Sequence, residues 1–269
     1  MTATTHEGRA VPPPPAPGRT ARCTSGGFAG AVASEWGKLW SVRAACLCLL
    51  AGLAATGFFT FYYASIARIN GHPVQPVGNA AAASVVLSQF AVVVLATVAV
   101  TSEYATGSVR ATLLWVPRRH QVLGAKAVVT AGVAFLGGAG FAAVGTATAW
   151  GAFGGRASFD AAETLGQLLA IGVYQALVAV LTVGTAFAAR HPAGTLSFAV
   201  MLLWGLPTVL LGLGVNGVNH ALPHGAGDHL MRLGDDAPYT SATAALIVVA
   251  WAAAAQATGL YVLRRRDAL

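Results

Sequence analysis

"TSEYATGSVRATLLWVPRRHQVLGAKA", residues 101–127, carries one Glu, three Arg and one Lys between two long apolar runs. A charged island of this kind is costly inside lipid and cheap outside it, so its borders mark where the chain leaves and re-enters a membrane. The rest of the sequence agrees. Of 269 residues, 56% are hydrophobic and only 9% charged, with a mean hydropathy of +0.65. That composition describes an integral membrane protein rather than one or two soluble domains.

A helix crossing about 30 Å of hydrocarbon needs roughly 20 apolar residues, because lipid offers no partner to stray backbone groups. Six windows meet this length, near 44–64, 80–100, 122–150, 165–188, 195–214 and 240–263. The expected fold is therefore all-α and polytopic, with residues 28–269 forming a six-span transmembrane domain. Residues 1–27 include "PPPPAPG" and no apolar core. Such a stretch is no signal peptide and reads as a disordered cytoplasmic leader.

Orientation follows from the cations. With both termini inside, 13 of the 16 Lys and Arg residues fall on the cytoplasmic side, leaving Arg68, Arg156 and Arg232 outside. The two sides then carry +9 and −2. This predicts a multi-pass protein of the cell's plasma or inner membrane with cytoplasmic ends. The net charge of +7 does not call for nucleic acid, since its Arg residues sit in short runs between apolar segments and not on a solvated domain.

Two segments lie outside the spans at the cytoplasmic face. In "FAGAVASEWGKLWSVR", Phe28, Val32, Trp36, Leu39 and Trp40 recur at helical spacing, and Ser34, Lys38 and Ser41 take the other side. Trp36, Lys38, Trp40 and Arg43 suit a helix lying in the headgroup plane against membrane lipid; the plainer alternative is a first span that starts early. In the opening stretch, Thr101 or Ser102 can cap a new helix with Glu103 in its first turn, and Pro117 ends it. Glu103, Thr106 and Arg110 would then share one side, with Val109, Leu113 and Val116 forming an apolar stripe. Lys126 can snorkel from the start of the third span. Glu103 and Arg110 form either a local ion pair or a surface offered to another protein.

Glycines at 132, 137, 138, 140 and 145 predict a third span packed closely inside the bundle or at a subunit contact, and Pro207 predicts a kink in the fifth. The loop before the sixth span holds His220, His224 and His229, but Pro223 between the first two argues against a zinc-binding His-x-x-x-His helix, so no metal is expected. Lys38 is followed by Leu39 and Lys126 by Ala127. With no other lysine, a phosphate-binding Gly-x-x-x-x-Gly-Lys-Ser/Thr loop is impossible. No nucleophile elbow is present, and the spans hold few ionisable groups, against an enzyme or an ion-coupled carrier.

The succession "SEWGKLWSVR", "TSEYATGSVRATL" and "VPRRHQVLGAKA" resembles the membrane subunit of type-2 ABC exporters, in particular small actinobacterial permeases. The similarity runs from Ala29 to the terminal arginines, and Glu-Tyr-x-x-Gly-x-x-Arg is its most specific part. The resemblance implies a connecting helix before the first span and a cytoplasmic coupling helix after the second, with Glu103, Tyr104, Thr106, Gly107 and Arg110 as the coupling element. It also implies short re-entrant helices before the sixth span. The chain would hold no catalytic residue and no cofactor, since ATP and Mg belong to a separate nucleotide-binding ATPase subunit. One six-span unit would need a second permease copy, identical or related, to complete a pathway. A membrane anchor or sensor that transports nothing, and a self-contained carrier, are the competing readings.

Overall fold

The computed structural model describes residues 27–107, 119–233 and 238–266. Helix α1 (Gly27–Ser41) is separated from α2 (Arg43–Ile69) by one extended residue, Val42, with φ −103° and ψ 124°. Then follow α3 (Gly78–Thr106), α4 (Arg119–Phe153) and α5 (Ala161–Ala189). Helix α6 (Pro192–Val200) runs through a π turn, Met201–Gly205, into α7 (Leu206–Gly212). Two short helices, α8 (Asn216–His220) and α9 (Pro223–Met231), precede α10 (Ser241–Arg266). A two-residue parallel pairing of β1 (Gln75–Pro76) with β2 (Ala157–Ser158) ties the α2–α3 loop to the α4–α5 loop, Gln75 opposite Ala157.

Among the described residues, six helices are long and apolar enough to cross a membrane: α2, α3, α4, α5, the α6–α7 unit and α10. This is an all-α, multi-pass membrane architecture, and each expected window falls on one of these helices. The helices overrun the windows at most ends. At 1.5 Å per residue the 35 residues of α4 reach about 50 Å, so the helix continues through the headgroup layer where apolar side chains are no longer required.

Helix α3 lies at the centre, packed on α2, α4, α5 and α6. Of its most apolar window 61% is buried, against 22% for α10, so α10 offers most of its surface to lipid. Helix α4 contacts α2, α3 and α5 along a face where three of the expected glycines, Gly137, Gly138 and Gly145, meet neighbours. A Cβ on Gly138 would stand 2.8 Å from the Gln175 side chain, and one on Gly145 would stand 2.9 Å from Thr56. Among the described residues nothing lies within 4 Å of a Cβ added at Gly132 or Gly140, so only part of the glycine run serves packing among them. The fifth span departs from regular helix where Pro207 removes an N–H. The π turn before it lets the Leu206 N–H reach the Met201 carbonyl, five residues back, which widens the helix at the point where the proline ring would otherwise clash.

Polar side chains inside the bundle are matched across the α3–α5 seam. The Tyr174 hydroxyl donates to Gln89 Oε1 at 2.9 Å, Gln175 Nε2 donates to Ser88 Oγ at 3.1 Å, and Gln167 Nε2 donates to Asn79 Oδ1 at 2.8 Å. In a bundle surrounded by lipid such pairs spare these donors and acceptors from being buried bare. Helix α9 closes the Asn79 end of this seam, with Gly227 flat against the Tyr174 ring and the Met231 carbonyl accepting from Gln167.

Candidate functional site

Antiparallel connectivity gathers α1, the start of α2, the end of α3, the starts of α4 and α6, and the ends of α5 and α10 at one end of the bundle. Four charges meet there. Lys126, about two turns into α4, is only 2% exposed; Glu35 of α1 and Glu103 of α3 are each 7% exposed. The Lys126 ammonium lies 2.5 Å from Glu35 Oε2, 2.9 Å from Glu103 Oε1 and 3.0 Å from the Ala99 carbonyl. Its three N–H donors therefore have three acceptors, one from each of α1 and the side chain and backbone of α3.

The second lysine completes the cluster from the rim. Lys38, with a side chain 41% exposed, reaches Glu35 Oε1 at 2.7 Å and Glu103 Oε1 at 3.0 Å. Burial pulls its ammonium down, but the Glu35 and Glu103 carboxylates outweigh that pull and hold it above its ordinary 10.5. Two carboxylates and two ammoniums cancel, which is the condition for keeping such groups out of water. Glu103 Oε2 is buried and has no hydrogen-bond partner among the described residues.

Local sequence explains why these side chains converge. On α1, Val32, Glu35 and Leu39 lie three and four residues apart and turn toward the bundle, where Leu39 packs with Leu95, Val129 and Val133. Trp36 and Trp40 point away, 48% and 41% exposed, with ring centroids 5.7 Å apart. The stripe expected on α1 is thus divided: Leu39 faces protein, while the indoles face outward as a headgroup-level helix requires. Arg43 is exposed at the start of α2.

The residues expected to form the coupling element take different positions. No new helix starts at Thr101: α3 runs on to Thr106, and the Thr101 hydroxyl donates back to the Thr97 carbonyl at 2.9 Å instead of capping. Glu103 turns inward to the cluster. The Tyr104 ring meets Phe187 edge-on at 6.2 Å and lies 5.6 Å from the Arg190 guanidinium. Thr106 is exposed, its hydroxyl bonded to the Ser102 carbonyl at 3.0 Å. Gly107 ends α3 in the left-handed region at φ 71°. Arg110, and the helix expected up to Pro117, lie outside the described residues.

The structure unites two sets of residues that sequence patterns kept apart, Lys38 of the interfacial helix and Glu103 of the coupling element. It adds Glu35 and Lys126. The expected snorkelling of Lys126 is replaced by full burial, because its neighbours at helical spacing, Val122, Leu123, Val129 and Thr130, are themselves buried. Nearby, Arg119 donates to the Leu263 and Arg264 carbonyls at 2.8 and 3.1 Å, closing the end of α10 against α4.

At the other end, the histidine-bearing loop forms the cap made by α8 and α9. His220 and His229 both meet the Tyr239 ring edge-on, at 5.9 and 5.3 Å, and the Tyr239 hydroxyl donates to the His220 carbonyl at 2.7 Å. Pro223 opens α9 as its first residue, so the imidazoles of His220 and His224 do not share a helix.

No protein-family model matches the chain, and no curated protein matches it.

Proposed function

We propose that this chain is the permease subunit of an ATP-driven exporter, with the end of the bundle that bears the ion-pair cluster facing the cytoplasm and a separate nucleotide-binding ATPase. The observation that carries this reading is the anchorage of the α3–α4 connection. A short charged connection between two spans can pass on force only if both its roots are held, and here Glu103 and Lys126 bind each other directly above it. The exposed Thr106 and Gly107 then stand where a partner can push on the end of α3.

Charge supports the orientation, since the cluster end holds Lys38, Arg43, Arg119, Lys126, Arg190, Arg264 and Arg265 while the cap end holds Arg68, Arg156 and Arg232. Both lysines of the chain are engaged by carboxylates, which supports placing ATP and Mg in the partner chain. A second permease copy would supply the other wall of the pathway. Movement of the two bundles against each other, driven by closure of the ATPase pair, would alternate access between the two faces.

The test is co-expression with a nucleotide-binding ATPase from the same genome, followed by reconstitution of the purified complex in liposomes. The expected result is a stable complex whose ATP turnover rises at least several-fold over the ATPase alone. An ATPase rate indifferent to this chain would favour an anchoring or sensing subunit, and transport without any ATPase would favour a self-contained carrier.

A further inference from the structure

Helix α1 is joined to α2 through Val42 alone, yet it packs more on α4 than on α2. Its two inward carboxylate bonds both lead to the lysines of the cluster: Glu35 Oε2 to Lys126 and Glu35 Oε1 to Lys38. Lys126 in turn holds Glu103 and the Ala99 carbonyl of α3. One ammonium thus ties α1 to both helices of the α3–α4 hairpin, the Lys38–Glu103 bond adds a second tie at the rim, and neither involves α2.

From these contacts we infer that Glu35 and Lys126 are positioning residues that clamp α1 to the α3–α4 hairpin, so that the three move as one unit hinged at Val42. The indoles of Trp36 and Trp40 ride on this unit against the membrane surface but do not hold it in place. A displacement at the end of α3 would therefore carry α1 with it, and with α1 whatever precedes it in the chain. The inference stands on the ion pairs alone and does not require the exporter reading.

Two features make a clamp a better account than simple adsorption to lipid. The apolar contact of α1 with the bundle rests on Leu39, with Val32 half-buried beside it and the partly exposed Phe28 ring against Gly124, a small seat for fifteen residues. The Glu35–Lys126 pair instead lies within that seat and is shielded from water, where removal of one partner leaves an uncompensated charge.

Amide hydrogen exchange of the full chain in nanodiscs of phosphatidylethanolamine and phosphatidylglycerol tests this without any ATPase, so its failure would leave the exporter reading standing. Glu35→Gln preserves shape and keeps the Lys126–Glu103 pair. The expected result is at least ten-fold faster exchange across residues 27–41 with α5 unchanged, and a smaller effect from Trp36→Ala/Trp40→Ala. Lys126→Met should match Glu35→Gln in α1; if it does not fold, Glu35→Gln decides alone. Unchanged α1 exchange in Glu35→Gln, equal loosening of α5, or release of α1 by the tryptophan pair and not by Glu35→Gln would each overturn the clamp.

Discussion

Gly259 of α10 meets Gly184 of α5 so closely that a Cβ on Gly259 would stand 2.6 Å from the Gly184 carbonyl oxygen. The contact lets the two backbones touch and brings Gln256 Nε2 to 2.6 Å from the Val180 carbonyl one turn away. In lipid, where no hydrophobic force drives helices together, such close approach supplies dispersion and hydrogen bonding that larger residues would forbid. Gly259→Val should push α10 off α5 and destabilise the fold by about 1–3 kcal/mol. Gly140→Ala on α4, with nothing among the described residues near its added Cβ, should be neutral or slightly stabilising. Thermal unfolding of both variants in one detergent checks the contrast; equal midpoints would mean that α5 and α10 are not in contact there.

The Tyr174 hydroxyl is the donor that Gln89 Oε1 receives at mid-seam, and both residues are fully buried. Tyr174→Phe keeps the ring against Gly227 but leaves that carbonyl oxygen bare, at a cost of about 1–3 kcal/mol. Combining it with Gln89→Leu removes the orphaned acceptor. The double variant should recover part of the loss, and a double-mutant cycle by thermal or denaturant unfolding should show coupling between the two sites. Strict additivity would rule out the bond.

Six spans were legible because a helix in lipid must be apolar for roughly 20 residues, and few other constraints produce that pattern. The seat of α1 outside the first span was legible from its tryptophans and charges. The cluster was not. A lysine just inside an apolar run reads equally as snorkelling, and only partners 91 and 23 residues away, Glu35 and Glu103, decide otherwise. Thr101 before Glu103 has the composition of a helix cap, but a mid-helix threonine can return its hydroxyl to the carbonyl four residues back, as Thr101 does. Gly184 and Gly259 were indistinguishable from the other thirty of the chain's 32 glycines, since contact across spans has no local signature.

His224 on α9 is mostly covered by the cap, and its Nδ1 is buried without a partner among the described residues. Burial lowers its pKa below 6.5; the Asp228 carboxylate opposes this and Arg232 adds to it. A lowered folded value means the unfolded chain binds more protons in the window just below 6.5, so stability is complete above that pH and declines as pH falls through it. Unfolding midpoints measured from neutral to mildly acidic pH should therefore fall more steeply for the native chain than for His224→Gln. Parallel curves would show that another group governs acid sensitivity.

Gly107 stops α3 at φ 71°, and among the described residues an added Cβ there would meet nothing within 4 Å. Substitution is therefore chiefly a test of backbone conformation. Ala should cost about 1 kcal/mol through left-handed strain, Val more, and Asn little, since Asn tolerates that region. The strain can be relieved by letting α3 continue, which would change the direction in which the chain leaves Thr106 while Glu103 and Lys126 stay paired below. If this end of α3 receives force from an ATPase, Gly107→Val should keep the fold and the complex intact and lower transport per ATP hydrolysed, with Gly107→Asn near the native ratio. Measuring both rates on the same proteoliposomes checks it, and a native ratio in Gly107→Val would remove Gly107 from the path along which force travels.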